Sequence, residues 1–250
     1  MVGNPSEIDL SQANSGLGAV TVLIPALNEE EGLRIVLSQL PAVGRVVVVD
    51  NGSTDGTSRV ARDQGAVVVD EPRRGYGSAC LAGLAEIGRS VRAGAAAPEV
   101  ILFLDADASD SPELIPQLAG PILAGEQDFV LGSRMRGQRE PGAMPPQAAF
   151  GNWLASGLMR LIWRAPYTDL GPFRAVRYCS LCELGMTDRD YGWTIEMQMK
   201  AWRRRLRIKE VPVPYHRRVG VSKISGTVRG SVAAGVKILW CLARYGWVRR

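Results

Sequence analysis

The stretch ILFLDADASDSPE, residues 101–113, decides how the chain is read. An apolar run from Val100 to Leu104 stops at Asp105 and Asp107, and Asp110, Ser111, Pro112 and Glu113 follow. Residues two apart on a strand point the same way, so Asp105 and Asp107 converge at the strand tip. Two like charges there repel unless a cation lies between them. A set of oxygen ligands suits Mg²⁺ or Mn²⁺, which commonly bridges to substrate phosphates. A plain solvated loop with Asp110 as helix cap is the competing reading; an apolar strand running straight into D-x-D favours the metal. Ser111, Pro112 and Glu113 fit a cap, a first-turn proline and an acid at the positive end of a helix.

Outward from this strand the pattern repeats. Val20–Ile24, Arg45–Val49, Ala66–Val69 and Phe129–Leu131 read as short strands. Glu29–Leu40, Thr54–Gln64 and Gly77–Arg92 have helical spacing. This rhythm predicts an α/β fold, a mainly parallel sheet with helices on both faces. After Gly137 the rhythm weakens. Ala148–Trp163 and Gly192–Arg205 read as helices and Arg207–Val213 as a strand, which Pro212 assigns to an edge.

Ligands of such sheets bind beyond the carboxyl ends of the strands. Three strand ends are polar together: Pro25 to Glu29, Asp50 to Gly56, and Asp105 to Asp107. Asp50 stands where a carboxylate can accept hydrogen bonds from a nucleobase or ribose, and Asp55 reads as a cap of the next helix. Arg73, Arg74 and Gly75 precede a helix whose N-terminus suits a diphosphate. The G-x-G-x-x-G fingerprint of a dinucleotide site is incomplete, since residue 80 is Cys.

The 250 residues are 46% hydrophobic, enough for one large domain with a good core. Residues 1–18 lack the basic start and apolar core of a signal peptide and read as a mobile arm. Ser231–Trp247 comes nearest to a membrane span but contains Lys237 and Arg244. Cys179 and Cys182 form a C-x-x-C pair with no further clustered ligands, so ordinary reduced thiols are the favoured reading. Residues 200–250 carry a net charge of +13 against −8 for the rest. Such a tail could face nucleic acid, an anionic membrane or a phosphorylated ligand. Nucleic acid is disfavoured, because no base-stacking aromatics interleave with the basic run in a recognisable module.

The ordered set VLIPALNEEEGL, VVVVDNGSTDGT, RGYGSACLAGL, ILFLDADASDSPE, LGSRMRG, TDLGPFRAVR, YGWTIEMQMKA and RVGVSKISGT resembles the family-2 glycosyltransferases of the GT-A, or nucleotide-diphospho-sugar transferase, fold. It is most like their dolichyl-phosphate mannose synthase and polyprenyl-phosphate glycosyltransferase branch. The resemblance spans residues 19–226 and implies an inverting transfer from a UDP- or GDP-linked sugar with Mg²⁺ or Mn²⁺. A polyprenyl or dolichyl phosphate is the first-choice acceptor. The alternatives are a small-molecule or polysaccharide hydroxyl, or a nucleotide-sugar-binding relative without turnover. By resemblance, Pro25, Asn28 and Glu29 form the first nucleotide loop and Asp50, Gly52 and Ser53 the second. Asp105 and Asp107 would hold the metal, with Ser109 at a third ligand position, and Arg134 would contact phosphate. Asp169 and Glu196 match acidic positions near the acceptor, Asp169 being the first candidate for a base if the acceptor is a hydroxyl. Arg218, Ser222 and Lys223 match a late basic motif that holds an acceptor phosphate or the donor diphosphate. The chain departs from the family in reading Asp50-Asn51 for the usual Asp-Asp, and Gly171-Pro172-Phe173 for Gly-Phe.

Residues 227–250 are expected to form a basic amphipathic helix, either on the cytoplasmic face of a membrane or packed on protein. The expected location is the cytoplasm, and a homo-oligomer is an open option.

Overall fold

The computed structural model describes residues 16–220, 240, 241 and 244. Seven strands form one sheet: β1 (Val20–Ala26), β2 (Arg45–Asp50), β3 (Val67–Asp70), β4 (Val100–Phe103), β5 (Phe129–Ser133), β6 (Arg174–Arg177) and β7 (Ile208–Pro212). Their order is β3-β2-β1-β4-β6-β5-β7. All neighbours run parallel except β6, which is antiparallel to β4 and to β5. The order reverses at β1, with β2 on one side and β4 on the other, which is where ligands of open α/β sheets bind.

Strand alternation explains the two-faced core. Val47, Val49, Ile101 and Phe103 point to one face; Val48, Val22, Val100 and Leu102 point to the other. Helices α1 (Glu30–Gln39), α2 (Thr57–Asp63) and α4 (Ile115–Leu123) supply Leu33, Val36, Val60 and Leu118 to the second face. Helices α3 (Tyr76–Arg92), α5 (Pro146–Trp163), α6 (Tyr178–Leu184) and α7 (Trp193–Arg203) supply Ile87, Met159, Leu181 and Trp193 to the first. Phe103 and Trp193 meet edge to face at 6.0 Å between ring centroids, joining strand β4 to helix α7. Burial of each such side chain contributes about 1.5–3 kcal/mol or more.

The expected strand–helix succession holds through β5, and β7 lies at the sheet edge as Pro212 implied. Pro25 sits inside β1 yet takes no rung from β4, whose pairing stops at Leu23 and Phe103. Two expectations need correction, and two elements come in addition. The folded body begins before residue 19, because Leu17 is fully buried and its carbonyl accepts the Gly44 N–H. Strand β6 and helix α6 were not anticipated, since RAVR is only four residues long and bracketed by arginines. Ser111 is not a capping side chain: a 3-10 turn (Pro112–Leu114) precedes α4, and the Ser111 hydroxyl lies 3.2 Å from His216 Nε2.

Candidate active site

Two loops at the ends of β1 and β2 lock together before any ligand arrives. The Asn28 N–H donates to Ser53 Oγ at 2.9 Å, and Asn28 Oδ1 accepts the Thr54 N–H at 2.7 Å. Asn28 takes a left-handed backbone (φ +51°), which Asn tolerates better than most residues. The Glu29 N–H donates to Thr57 Oγ1, and Asp55 accepts the Thr57 and Glu30 N–H groups, tying the first turns of α1 and α2 together. Asp50 accepts the Ser53 N–H at 2.7 Å and the Ser58 hydroxyl. Burial works to raise its pKa, but these bonds outweigh it and hold the carboxyl below its ordinary range.

The change from Asp to Asn at residue 51 has a structural reason. Asn51 Nδ2 donates to the carbonyls of Glu71 (2.9 Å) and Arg73 (2.7 Å), and its Oδ1 accepts the Gly75 N–H. A carboxylate could not donate to those two carbonyls. The clamp positions Arg74 over Gly52, a residue with φ +83°. The N-terminus of α3 is less open to a diphosphate than the sequence suggested, because the Ser78 N–H and hydroxyl both donate to the Arg189 carbonyl.

Helix α1 presses on the metal-type motif. A Cβ at Gly32 would lie 2.5 Å from the Ala106 carbonyl oxygen, so only glycine allows that approach. Asp107 Oδ1 accepts the Ser109 N–H (3.0 Å) and hydroxyl (2.6 Å). Its Oδ2 lies 3.2 Å from the Arg218 guanidinium, which also pairs with Glu29 at 3.0 Å. Asp105 has one fully shielded oxygen with no hydrogen-bond partner. Burial first, then the Asp107 charge, push its pKa up to about 7 against the opposing pull of Arg134 and a Tyr76 hydrogen bond.

Asp110 departs from the helix-start reading. Instead of starting a helix in solvent it is 3% exposed, and neither carboxylate oxygen has a hydrogen-bond partner in the protein. Burial and the Asp105 charge raise its pKa well above the usual carboxylate range. The DSP spelling of a helix start concealed this, because the segment 215–219 folds back over the loop: the His216 N–H donates to Ser109 O and the Val219 N–H to Asp107 O.

Asp169 and Glu196, the acids that the resemblance assigns to the acceptor, are arranged differently. Asp169 is fully buried and receives the Arg134 backbone N–H (2.7 Å), Nε (2.9 Å) and Nη2 (2.7 Å). Burial opposes ionisation, yet the Arg134 charge and these bonds hold Asp169 below its ordinary pKa. A carboxylate so held is a weak base, so the geometry favours an anchoring role for Asp169 over the base role expected for it. Arg134 in turn lies 4.9 Å above the Tyr215 ring. Glu196 is also buried and accepts from the Thr187 and Asp188 N–H groups, the Thr187 hydroxyl and Lys200. Asn152 of α5 fastens the Asp169 loop by donating to Thr168 O (3.2 Å) and accepting the Leu170 N–H (2.8 Å). Pro172 does not disturb the packing of Phe173, which is 1% exposed.

The strand-end loops and Arg218 enclose a cleft of about 270 Å³ lined by Pro25, Glu29, Asn51, Arg74, Tyr76, Asp105, Asp107 and Arg218, among others; Arg134, Asp169 and Glu196 do not line it. It gathers residues from all three predicted strand ends. Arg74 and Tyr76 are additions to the predicted set, and their signal was the RGYG turn. Asp50 and Ser53 stand behind the cleft as loop holders. Ser222 and Lys223 lie outside the described residues, as does most of 227–250. Of that last segment, Cys241 is buried beside Gly192 and Asp188, so the chain packs on the body at that point. Cys179 and Cys182 are exposed free thiols on α6. Among the described residues no helix is long and apolar enough to cross a membrane, and no three His, Cys, Asp or Glu side chains group as a metal site. Two carboxylates still fit Mg²⁺ or Mn²⁺, which complete their shells with water and phosphate oxygens, and the partnerless oxygen of Asp105 is of the right kind.

The match to known proteins agrees with this architecture. Residues 21–180 fit the model of glycosyl transferase family 2. An uncharacterized glycosyltransferase of Mycobacterium tuberculosis is 40% identical over 220 residues, covering 86% of this chain and 94% of its own. The undecaprenyl-phosphate mannosyltransferase of Micrococcus luteus is 31% identical, covering 92% and 97%. In fold, the chain is similar to the glucosyl-3-phosphoglycerate synthase of Mycobacterium tuberculosis, crystallised with Mn²⁺, UDP and glucosyl-3-phosphoglycerate. That likeness has a TM-score of 0.71 at 23% identity, over 98% of this chain and 87% of the other. The chain is therefore an enzyme of the GT-A fold, and it belongs to glycosyl transferase family 2.

Proposed function

We propose that this glycosyltransferase moves a sugar from a nucleotide diphosphate to a polyprenyl phosphate, with inversion at the anomeric carbon. The observation that carries the choice of acceptor is the state of Asp169 and Glu196. Both acceptor-side carboxylates are buried and engaged by cations and N–H groups, which leaves them poor bases. A hydroxyl acceptor must lose a proton as it attacks. A phosphate acceptor is already an anion and needs no base. The relation to the undecaprenyl-phosphate mannosyltransferase supports the same reading.

The donor diphosphate would lie in the cleft between Arg74, Arg218 and the two aspartates. Asp105 and Asp107 would hold a divalent cation, Mn²⁺ being the ion bound in the glucosyl-3-phosphoglycerate synthase. Such an ion supplies charge neutralisation for the leaving diphosphate. An acceptor phosphate oxygen attacks the anomeric carbon. The bond from that carbon to the diphosphate oxygen breaks, and its electron pair leaves with the nucleoside diphosphate. Arg134, fixed by Asp169 and Tyr215, keeps positive charge beside the aspartates and adds to the stabilisation.

The test gives the purified chain a panel of UDP- and GDP-sugars with Mn²⁺ in detergent, offering polyprenyl phosphate or 3-phosphoglycerate. Mass spectrometry should find a sugar joined to the lipid phosphate. Product on 3-phosphoglycerate alone would refute the lipid reading.

A further inference from the structure

Among the described residues six large apolar side chains are exposed, and four of them belong to α5: Phe150 (61%), Trp153 (64%), Leu161 (80%) and Ile162 (56%). Phe150, Trp153 and Leu161 fall on one strip at helical spacing, and Ile162 is exposed at the last turn. The opposite side holds Asn152, Ala155, Ser156 and Met159, all buried, with Leu158 and Trp163 packed on the core. So α5 has apolar residues on both sides, and its outward strip carries large apolar side chains where an ordinary surface helix carries polar ones. Phe150 and Trp153 lie against each other in solvent, 5.9 Å between ring centroids.

We propose that this outer face of α5 docks on an anionic lipid bilayer. The charges argue for lipid over a second copy of the chain. No acid occurs in residues 146–163, while Arg160 and the adjoining Arg164 are both exposed. Two copies packed through this face would find no carboxylate on either helix to pair with these arginines. An anionic headgroup layer supplies the missing negative charge, and aromatic rings beside arginines suit the boundary between headgroups and acyl chains. The reverse side of the same helix holds the Asp169 loop through Asn152, so the docking face and the acceptor side of the site share one helix. The purpose of the surface rests on the lipid-phosphate reading, but its evidence is separate. It also differs from the expected membrane contact of residues 227–250, most of which lie outside the described residues.

The full chain should float with phosphatidylcholine vesicles that contain phosphatidylglycerol and stay behind with phosphatidylcholine alone. Trp153→Glu combined with Leu161→Glu should lower the bound fraction about tenfold or more. Arg160→Glu combined with Arg164→Glu should remove the dependence on phosphatidylglycerol. Trp153 and Leu161 are exposed, so the melting temperature of that variant should stay close to that of the intact chain, and Trp153→Ser replaces it if it does not fold; Arg160 also donates to the Tyr167 carbonyl, so Arg164→Glu alone replaces the arginine pair if that variant does not fold. The proposal is overturned if the intact chain does not float, or if the variants float as it does. A dimer that the Trp153 variant converts to monomer, with no flotation, assigns the face to a second copy instead. Transfer to polyprenyl phosphate in detergent needs no bilayer. Flotation without lipid product there would refute the acceptor reading and leave the docking surface standing.

Discussion

The loop at the end of β4 and the Arg134–Asp169 scaffold both contain buried carboxylates, but in different states. Around the end of β4, Asp105 has an oxygen with no partner and Asp110 has two. Around the acceptor loop, Asp169 receives three N–H groups from Arg134, and Glu196 is held by Lys200 and by the 187–188 backbone. A buried polar group without a partner costs free energy, so such groups concentrate where a ligand completes them. The difference separates two jobs. Asp105 and Asp110 keep oxygens that a ligand or proton can complete, whereas Asp169 and Glu196, like Asp107, are tied into the scaffold.

Catalysis should break on the first side. Asp107→Ala and Asp105→Ala are expected to lower the transfer rate by about a thousandfold, a loss of the size associated with removing charge stabilisation from a leaving group. Asp105→Ala should melt no lower than the parent, because it removes a buried carboxylate with a partnerless oxygen from beside Asp107, whereas Asp107→Ala deprives Ser109 and Arg218 of a partner and should melt lower. Steady-state transfer with Mn²⁺ and a thermal melt of each variant check both halves of the statement. Undiminished rates in both would end the metal assignment.

Stability should break on the second side. Arg134→Met leaves Asp169 buried without its guanidinium and should cost about 3–5 kcal/mol. Arg134→Met with Asp169→Leu should recover much of that loss, since no charge is then left alone. Urea unfolding of the two single variants and the double variant measures the coupling. A cost below about 1 kcal/mol for Arg134→Met would mean that the pair is solvated and not an anchor.

Much of this division could be read from residue order, and part could not. The β1–β5 rhythm is legible because each strand is a short apolar run ending in turn formers. The strand-end aspartates are legible because their polarity is abrupt. Asp110 is not, because Asp-Ser-Pro-Glu spells a helix start, and only the return of residues 215–219 over that loop buries it. Asp169 matches an acidic acceptor position in sequence, but its binding of Arg134 depends on contacts across 35 residues. β6 carries Arg174, which is fully buried with its guanidinium on the carbonyls of Leu170, Gly171 and Thr194. No hydrophobic pattern announces a strand of that kind. The outer face of α5 also escapes a periodicity reading, since the helix has apolar residues on both sides and only the tertiary packing shows which side faces out.

The smallest expected effect separates the two regions by pH alone. Asp105 has a folded pKa near 7 against about 3.9 in an unfolded chain. Between those values the folded state binds a proton that the unfolded state does not, so stability falls as pH rises through the window and levels off above it. Asp110, also raised, acts with the same sign. Asp169 is lowered, so its contribution is complete above about pH 4 and is lost only as pH falls below that. In EDTA, urea unfolding should therefore show the chain weaker at about pH 8 than at about pH 5, by about 2–3 kcal/mol. Asp105→Asn should shrink that difference, and Mn²⁺ should offset it for the parent at the higher pH, because the ion binds the folded carboxylates. Asp169 offers a control in the opposite sense, since its variants should alter the acid limb below about pH 4 and leave the window from 5 to 8 as it was. A pH profile that Asp105→Asn does not change would mean that this carboxylate is already satisfied, and the contrast with the Arg134–Asp169 scaffold would then rest on Asp110 alone.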